Sequence, residues 1–259
     1  MIRVRKRLLI TIVLLVVLTM CISFTKAQNT DPSLVLSLSF DDGSGKIAED
    51  GSEYGNDGDL KGDPAWVEGK FDGALEFDGA VDYVEIPHSE TLTVDEEVTV
   101  MAWVKADRYE FPGGGYQGIL AKSNDTRSYS LYTTSAGVLH FSTAGIGTTS
   151  IAKVPLDEWV HITVVVVDGK HRYYFNGVLD TETGSGIKLP GLSDTATALV
   201  ADSHEGSREF GGIIDEVRIW NRALDADEIV KQMNQGGKSL PVQSKSKLIT
   251  VWAQIKNTK

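Results

Sequence analysis

Along most of this chain apolar and polar residues alternate with a period of two in short runs. The runs cover residues 34–40, 74–77, 81–86, 98–104, 118–122, 128–133, 138–141, 159–167, 172–175, 198–201 and 213–220. That period sends successive side chains to opposite faces of a pleated backbone, so each run predicts a β-strand with one face turned to a core. Clusters of Gly, Asp, Asn, Ser or Pro separate the runs, a spacing that predicts an antiparallel sandwich rather than a parallel α/β sheet. No internal repeat is present.

The firmest local prediction is a central hairpin. Val160, Ile162, Val164 and Val166 share one face of a strand, and Asp168-Gly169 supplies the positive backbone dihedrals of a two-residue turn. Asn176-Gly177 then offers a second reversal. One short helix is signalled near the end. Asp225 can cap it while Glu228 reaches back to the cap, Leu224 and Ile229 can pack across the first turn, Val230 and Met233 extend the stripe, and Gly236-Gly237 stop it. The helix is expected to cover an edge of the sandwich.

Charge is segregated along the chain. The formal net charge is −11, but residues 1–27 and 238–259 hold five basic side chains each and no acids. Removing those ten from the 25 basic residues leaves 15 against 36 acidic ones, a net −21 for the body. Such a surface repels nucleic acid and anionic lipid. Neutral glycans, cations and basic protein patches suit it better.

Residues 1–27 have the three-part layout of an export signal, with Arg3, Arg5, Lys6 and Arg7, an apolar stretch over 8–24, and Ala27 as the last residue removed. Retention as a membrane anchor and acylation at Cys21 are the alternatives. Cys21 is the only cysteine, so no disulfide braces the exported product. The body is expected to fold as one domain over 31–237. In the tail 238–259, Leu248, Val251, Trp252 and Ile255 recur at helical spacing.

Acidic residues beside glycines are the strongest candidate for chemistry. Asp41-Asp42-Gly43, Asp50 through Gly58, Asp78-Gly79 and Asp215-Glu216 could supply the oxygens of a structural Ca²⁺, which takes six to eight at about 2.3–2.6 Å. The same residue types also form side-chain-capped turns in any β-protein. A second candidate is a pair of loops. Tyr109, Phe111 and Tyr116 crowd a glycine-rich segment, and His204, Glu205, Arg208 and Phe210 make another. Aromatic faces in exposed loops stack on sugars or anchor proteins, and they also pack down as loop anchors. Trp66, Trp103, Trp159 and Trp220 are expected in or near the core. The five histidines form no zinc motif, no Gly-x-Ser-x-Gly elbow occurs, and Asn124-Asp-Thr126 is a glycosylation sequon.

Three stretches resemble one family. The segment 74–87 (ALEFDGAVDYVEIP), the segment 212–229 (GIIDEVRIWNRALDADEI) and the Trp159-x-His161 strand leading to Asp168-Gly169 and Asn176-Gly177 resemble LamG-like jellyroll domains of the concanavalin A-like lectin/glucanase superfamily. The resemblance implies an all-β antiparallel jellyroll sandwich with one short C-terminal helix. It implies calcium held by Asp50, Asn56 and Asp215, to which Asp41 and Asp78 are added. It also implies an exported binding domain for a glycan, with a surface protein as the alternative partner. The sandwich glucanases of the superfamily carry Glu-x-Asp-x-x-Glu on one strand, and neither Asp95-Glu96-Glu97 nor Asp215-Glu216 has that spacing. The expectation is therefore a non-enzyme. A glycoside hydrolase or lyase with rearranged carboxylates is the remaining alternative.

Overall fold

The computed structural model describes residues 31–109, 115–122, 128–191 and 195–236. The expected export signal 1–27, Phe111, the Asn124 sequon and the tail 238–259 lie outside the described residues. In chain order the strands are β1 (Leu34–Leu38), β2 (Ile47–Ala48), β3 (Gly58–Lys61), β4 (Ala65–Glu68), β5 (Gly73–Asp78), β6 (Tyr83–Ile86), β7 (Val98–Ala106), β8 (Tyr116–Lys122), β9 (Tyr129–Thr134), β10 (Val138–Thr143), β11 (Ile146–Lys153), β12 (Val160–Val167), β13 (Lys170–Phe175), β14 (Val178–Thr183), β15 (Ala198–Val200) and β16 (Gly211–Trp220). The α-helix α1 spans Ala226–Met233.

The strands form two eight-stranded antiparallel sheets. The first has the order β14-β13-β12-β7-β16-β5-β4, and β1 joins it by pairing with β16. β16 is long enough to serve two neighbours on one edge. Gly211 to Ile214 pair with β5, and Val217 to Trp220 pair with β1. The second sheet has the order β11-β10-β9-β8-β15-β6-β3-β2. The core lies between them, with Val100, Val104, Ile162, Val164, Ile214 and Ile219 facing Val84, Ile86, Leu120, Leu131, Phe141 and Val200.

The central hairpin forms as the sequence predicts. Asp168 and Gly169 have φ of 53° and 70°, and Asn176 and Gly177 have φ of 48° and 78°, which the paired strands need at their tight turns. The capping box of α1 also forms. Asp225 accepts the Glu228 amide at 2.8 Å and Glu228 accepts the Asp225 amide at 3.0 Å.

The helix does not cover an edge. Leu224 and Ile229 pack on Met101, Val165, Val167, Tyr174, Trp220 and Leu34, on the outer face of the first sheet over its central strands. The reason is in β12, where Val165 and Val167 make the second face apolar as well, so both faces need cover. Burying each of the two helix side chains contributes about 1.5–3 kcal/mol. Five strands escaped the period-two reading: β2, β3, β4, β11 and β14. The first three are short, and β11 and β14 are edge strands whose more buried positions carry Thr148, Ser150, Asp180 and Thr181 while Ile151, Val178 and Leu179 are exposed.

Candidate functional site

The acidic loops are tied down by backbone amides. Asp50 is buried, its Oδ1 accepting the amides of Ser37 (2.9 Å) and Ser52 (2.9 Å), its Oδ2 the Ser52 hydroxyl (2.5 Å) and the Asn56 amide (2.8 Å). A carboxylate offers about four lone-pair sites, so these donors fill it. Asn56 donates its side-chain amide to the Val35 carbonyl (2.8 Å) and to Thr91 Oγ1 (2.9 Å). Asp215 Oδ2 accepts the amides of Lys70 (2.9 Å) and Phe71 (3.0 Å), while Oδ1 is buried with no partner among the described residues. Burial raises the Asp215 carboxyl to about 8, against the pull of the Phe71 amide and with the help of Glu216.

The early loop and the late strand do meet. Leu38 bridges to Asp50 and pairs with Val217, so β1 carries the first segment against β16. Asp41 accepts the Gly73 amide at 2.9 Å at one end of β5. Asp78 stands at the other end, where it closes a turn by accepting the amides of Ala80, Val81 and Asp82. At about 3.3 Å per residue the two ends of β5 are ~16 Å apart. Among the described residues no three His, Cys, Asp or Glu side chains gather as a metal centre. Asp41 and Asp78 therefore do not join one cage, and Asp50, Asp78 and Asp215 each accept backbone amides of turns.

The loop aromatics divide. Phe210 is buried in the core rather than exposed, because its amide bonds to the Ala201 carbonyl (2.8 Å) and draws the side chain between the sheets. Tyr109 donates its hydroxyl to the Val154 carbonyl and lays its ring over Gly137, where a Cβ would sit 2.7 Å from the ring. It anchors a loop. His204 is exposed, with Nε2 at 2.9 Å from the Thr197 carbonyl. Only Tyr116 reaches a constellation of another kind, on the outer face of the second sheet.

That face is built by β8, β9 and β10. Tyr129, Leu131, Leu139 and Phe141 enter the core, so the alternation turns Ser130, Tyr132, His140 and Ser142 outward. In register, Gly118 pairs with Tyr132 and Tyr132 with His140. The ring centroids of Tyr116 and His140 are 5.0 Å apart, those of Tyr116 and Tyr132 5.7 Å, and those of Tyr132 and His140 6.0 Å. The Arg208 guanidinium lies 5.1 Å from the Tyr116 ring and 5.5 Å from that of Tyr132. It is also ion-paired with Glu205.

The loop 202–209 lies on β8 because residue 118 is glycine. The Gly118 amide donates to the Arg208 carbonyl at 2.6 Å, and a Cβ there would stand 2.4 Å from the Asp202 carbonyl oxygen. Beneath the loop the Tyr132 hydroxyl is buried and has no partner among the described residues, nor have the hydroxyls of Ser130 on the same strand and of Ser128 just before it. Buried hydroxyls are seldom left unpaired, so each marks a place for a donor or acceptor that the described residues do not supply. Sequence reading picked Tyr116 and noted Arg208, but missed Tyr132 and His140. The signal was present in the alternation of β9 and β10, where the outward positions carry rings.

The comparisons agree on the architecture. Domain 4 of AbnA, a GH43 extracellular arabinanase from Geobacillus stearothermophilus solved in complex with arabinotriose, matches with a TM-score of 0.62 at 18% identity, over 77% of this chain and 98% of that one. The binding domain of Paraclostridial Mosquitocidal Protein 1 matches with a TM-score of 0.64 at 16% identity, over 78% of this chain and 52% of that one. A botulinum neurotoxin type C structure, whose cell entry depends on interaction with two ganglioside molecules, matches with a TM-score of 0.61 at 16% identity, over 80% of this chain and 52% of that one. At such identities these matches show the fold. Adhesion G-protein coupled receptor V1 of Danio rerio is 26% identical over 136 residues, which is 49% of this chain but only 2% of the receptor. The Laminin_G_3 model, described as concanavalin A-like lectin/glucanases superfamily, matches residues 78–230, more than half of the sequence, and the chain belongs to that family.

Proposed function

We propose that this chain is a non-catalytic carbohydrate-binding module that works outside the cytoplasm, with the sugar held on the outer face of β8, β9 and β10. The observation that carries the reading is the Tyr132 hydroxyl, buried with no partner among the described residues, directly beside the half-buried rings of Tyr116 and His140 and the Arg208 guanidinium. Aromatic faces beside unsatisfied hydroxyls and a guanidinium suit a ligand that is apolar on its ring faces and dense in hydroxyls at its edge. The arabinotriose held by the arabinanase domain adds support, as does the export pattern of residues 1–27. The non-catalytic part rests on composition. Strands β8, β9, β10 and β11 contain no Asp or Glu, and in the overlying loop Glu205 is tied to Arg208 and Asp202 accepts the Ser203 amide, whereas glycoside hydrolysis needs two carboxylates flanking the bond. Calcium has no place in this reading, since Asp50 spends its oxygens on the chain's own donors.

A glycan array tests it. Binding to a defined set of glycans, unchanged by chelator and weakened in Tyr132→Phe, is the expected result. Silence across all glycans would overturn the proposal. A second reading, protein adhesion, is favoured by Ile151, Val178 and Leu179, which are 75%, 69% and 51% exposed on the neighbouring edge strands β11 and β14.

A further inference from the structure

We propose that this face selects neutral glycans over acidic ones, with Glu205 as the specificity-determining residue through its hold on Arg208; the inference rests on the glycan reading above. A guanidinium is the natural partner of a sugar carboxylate. Here that partner is already engaged. Glu205 pairs with Arg208, and the side chains are only 25% and 23% exposed, so the pair is partly shielded from water. The guanidinium is also fixed over the rings of Tyr116 and Tyr132, and the Arg208 backbone is pinned to Gly118.

The rest of the loop has the same sign. Residues 202–209 hold Asp202, Glu205 and Glu209 against Arg208 and His204. A uronic or sialic acid would have to displace Glu205 from Arg208 and then sit beside the freed carboxylate, in a loop with more acidic than basic residues. A neutral hydroxyl faces no such cost. It can accept from Arg208 and donate to Glu205 at once, because a hydroxyl is both donor and acceptor and the pair presents one of each side by side.

The test measures affinities of the full-length chain for arabinotriose and cellotriose as neutral probes and for trigalacturonic acid and sialyllactose as acidic ones. The wild type is expected to favour the neutral set at least tenfold, and Glu205→Gln to narrow that ratio about tenfold. Asp227→Asn, which removes an exposed charge on the remote α1, should leave the ratio where it was. Equal wild-type affinity for both sets overturns the selectivity alone. Equal narrowing by Glu205→Gln and Asp227→Asn overturns it too, by assigning the effect to net charge. A wild type that binds neither set, with an unchanged melting temperature, overturns the glycan reading and the selectivity together.

Discussion

Asp50 closes its loop on Asn56. The Asp50 carboxylate accepts the Asn56 amide at 2.8 Å, and Asn56 passes the connection on to the Val35 carbonyl and to Thr91. One buried side chain thus joins β1, the loop 50–57 and the short helix Glu90–Leu92. Asp50→Ala would leave three amides and a hydroxyl without an acceptor. At about 1–3 kcal/mol for each buried donor left unsatisfied, and with some of them recovering water, the expected loss is ~3–5 kcal/mol in urea unfolding. Calcium and chelator should leave the melting temperature of the wild type unchanged. A rise with millimolar calcium would mean that the carboxylate has a different set of partners in solution.

Arg218 holds the end of α1. Its guanidinium donates to the Gln232 carbonyl at 2.8 Å and to that of Gln235 at 2.5 Å, and it pairs with Glu216, itself buried at a bulge in β16 with φ of 52°. Removing one partner of a buried pair costs about 3–5 kcal/mol, because the other charge is stranded. Arg218→Met is expected to fall in that range and to release the last turn of α1. Hydrogen exchange would read this as faster exchange for the last amides of the helix, with the core of β12 unaffected. Uniform acceleration through the whole sandwich would contradict the local role.

How much of this was legible in the sequence depends on what fixes each element. The β12–β13 hairpin was legible because its information is local, an alternation and an Asp-Gly turn. The capping box was legible for the same reason. Where α1 docks was not, since that follows from Val165, Val167 and Met101 together, residues on two strands that pair only in the folded state. The edge strands β11 and β14 hid because their more buried positions carry Thr148, Ser150 and Thr181 while the apolar Ile151, Val178 and Leu179 face water, which breaks the alternation. Asp50 looked like a metal ligand because chemistry alone cannot say whether its oxygens meet a cation or amides. Phe210 looked exposed because a polar loop precedes it, and only the Ala201 contact turns it inward.

The pH dependence of stability should have a maximum near pH 6.5. Burial lowers His171 to about 4, with His140 adding to the shift, and lowers His161 to about 3, with Arg218 adding. Both are neutral in the fold and would protonate at 6.5 when unfolded, so their contribution is complete above 6.5 and is lost as pH falls. Asp215 works in the opposite sense. Its carboxyl is raised from 3.8 to about 8, so its contribution is complete below 3.8 and is lost as pH rises toward 8. Below 6.5 two protons oppose one, a net loss of about 1.4 kcal/mol per pH unit; above it Asp215 acts alone with a similar slope of opposite sign. Denaturation across pH 4.5–8.5 checks this. Asp215→Asn should flatten the alkaline arm and His171→Gln the acid arm.

Tyr132→Phe separates folding from recognition. The Tyr132 hydroxyl makes no hydrogen bond to the described residues, so deleting it removes a desolvated polar group and leaves the ring contacts with Tyr116 and His140 in place. Stability should therefore hold or rise, by up to ~1 kcal/mol. A structural tyrosine would behave in the reverse way, since losing a satisfied bond costs about 0.5–1.5 kcal/mol. Binding should move in the other direction. If the hydroxyl meets a sugar oxygen in the complex, its loss removes one hydrogen bond from a buried site, about tenfold in affinity at ~1.4 kcal/mol. Calorimetry on the glycan that binds best, alongside thermal melts of both proteins, reads the two effects separately. Weaker binding with an unchanged or higher melting temperature is the expected pair of results. A lower melting temperature with intact binding would assign the hydroxyl to the fold and move the sugar elsewhere on the sandwich.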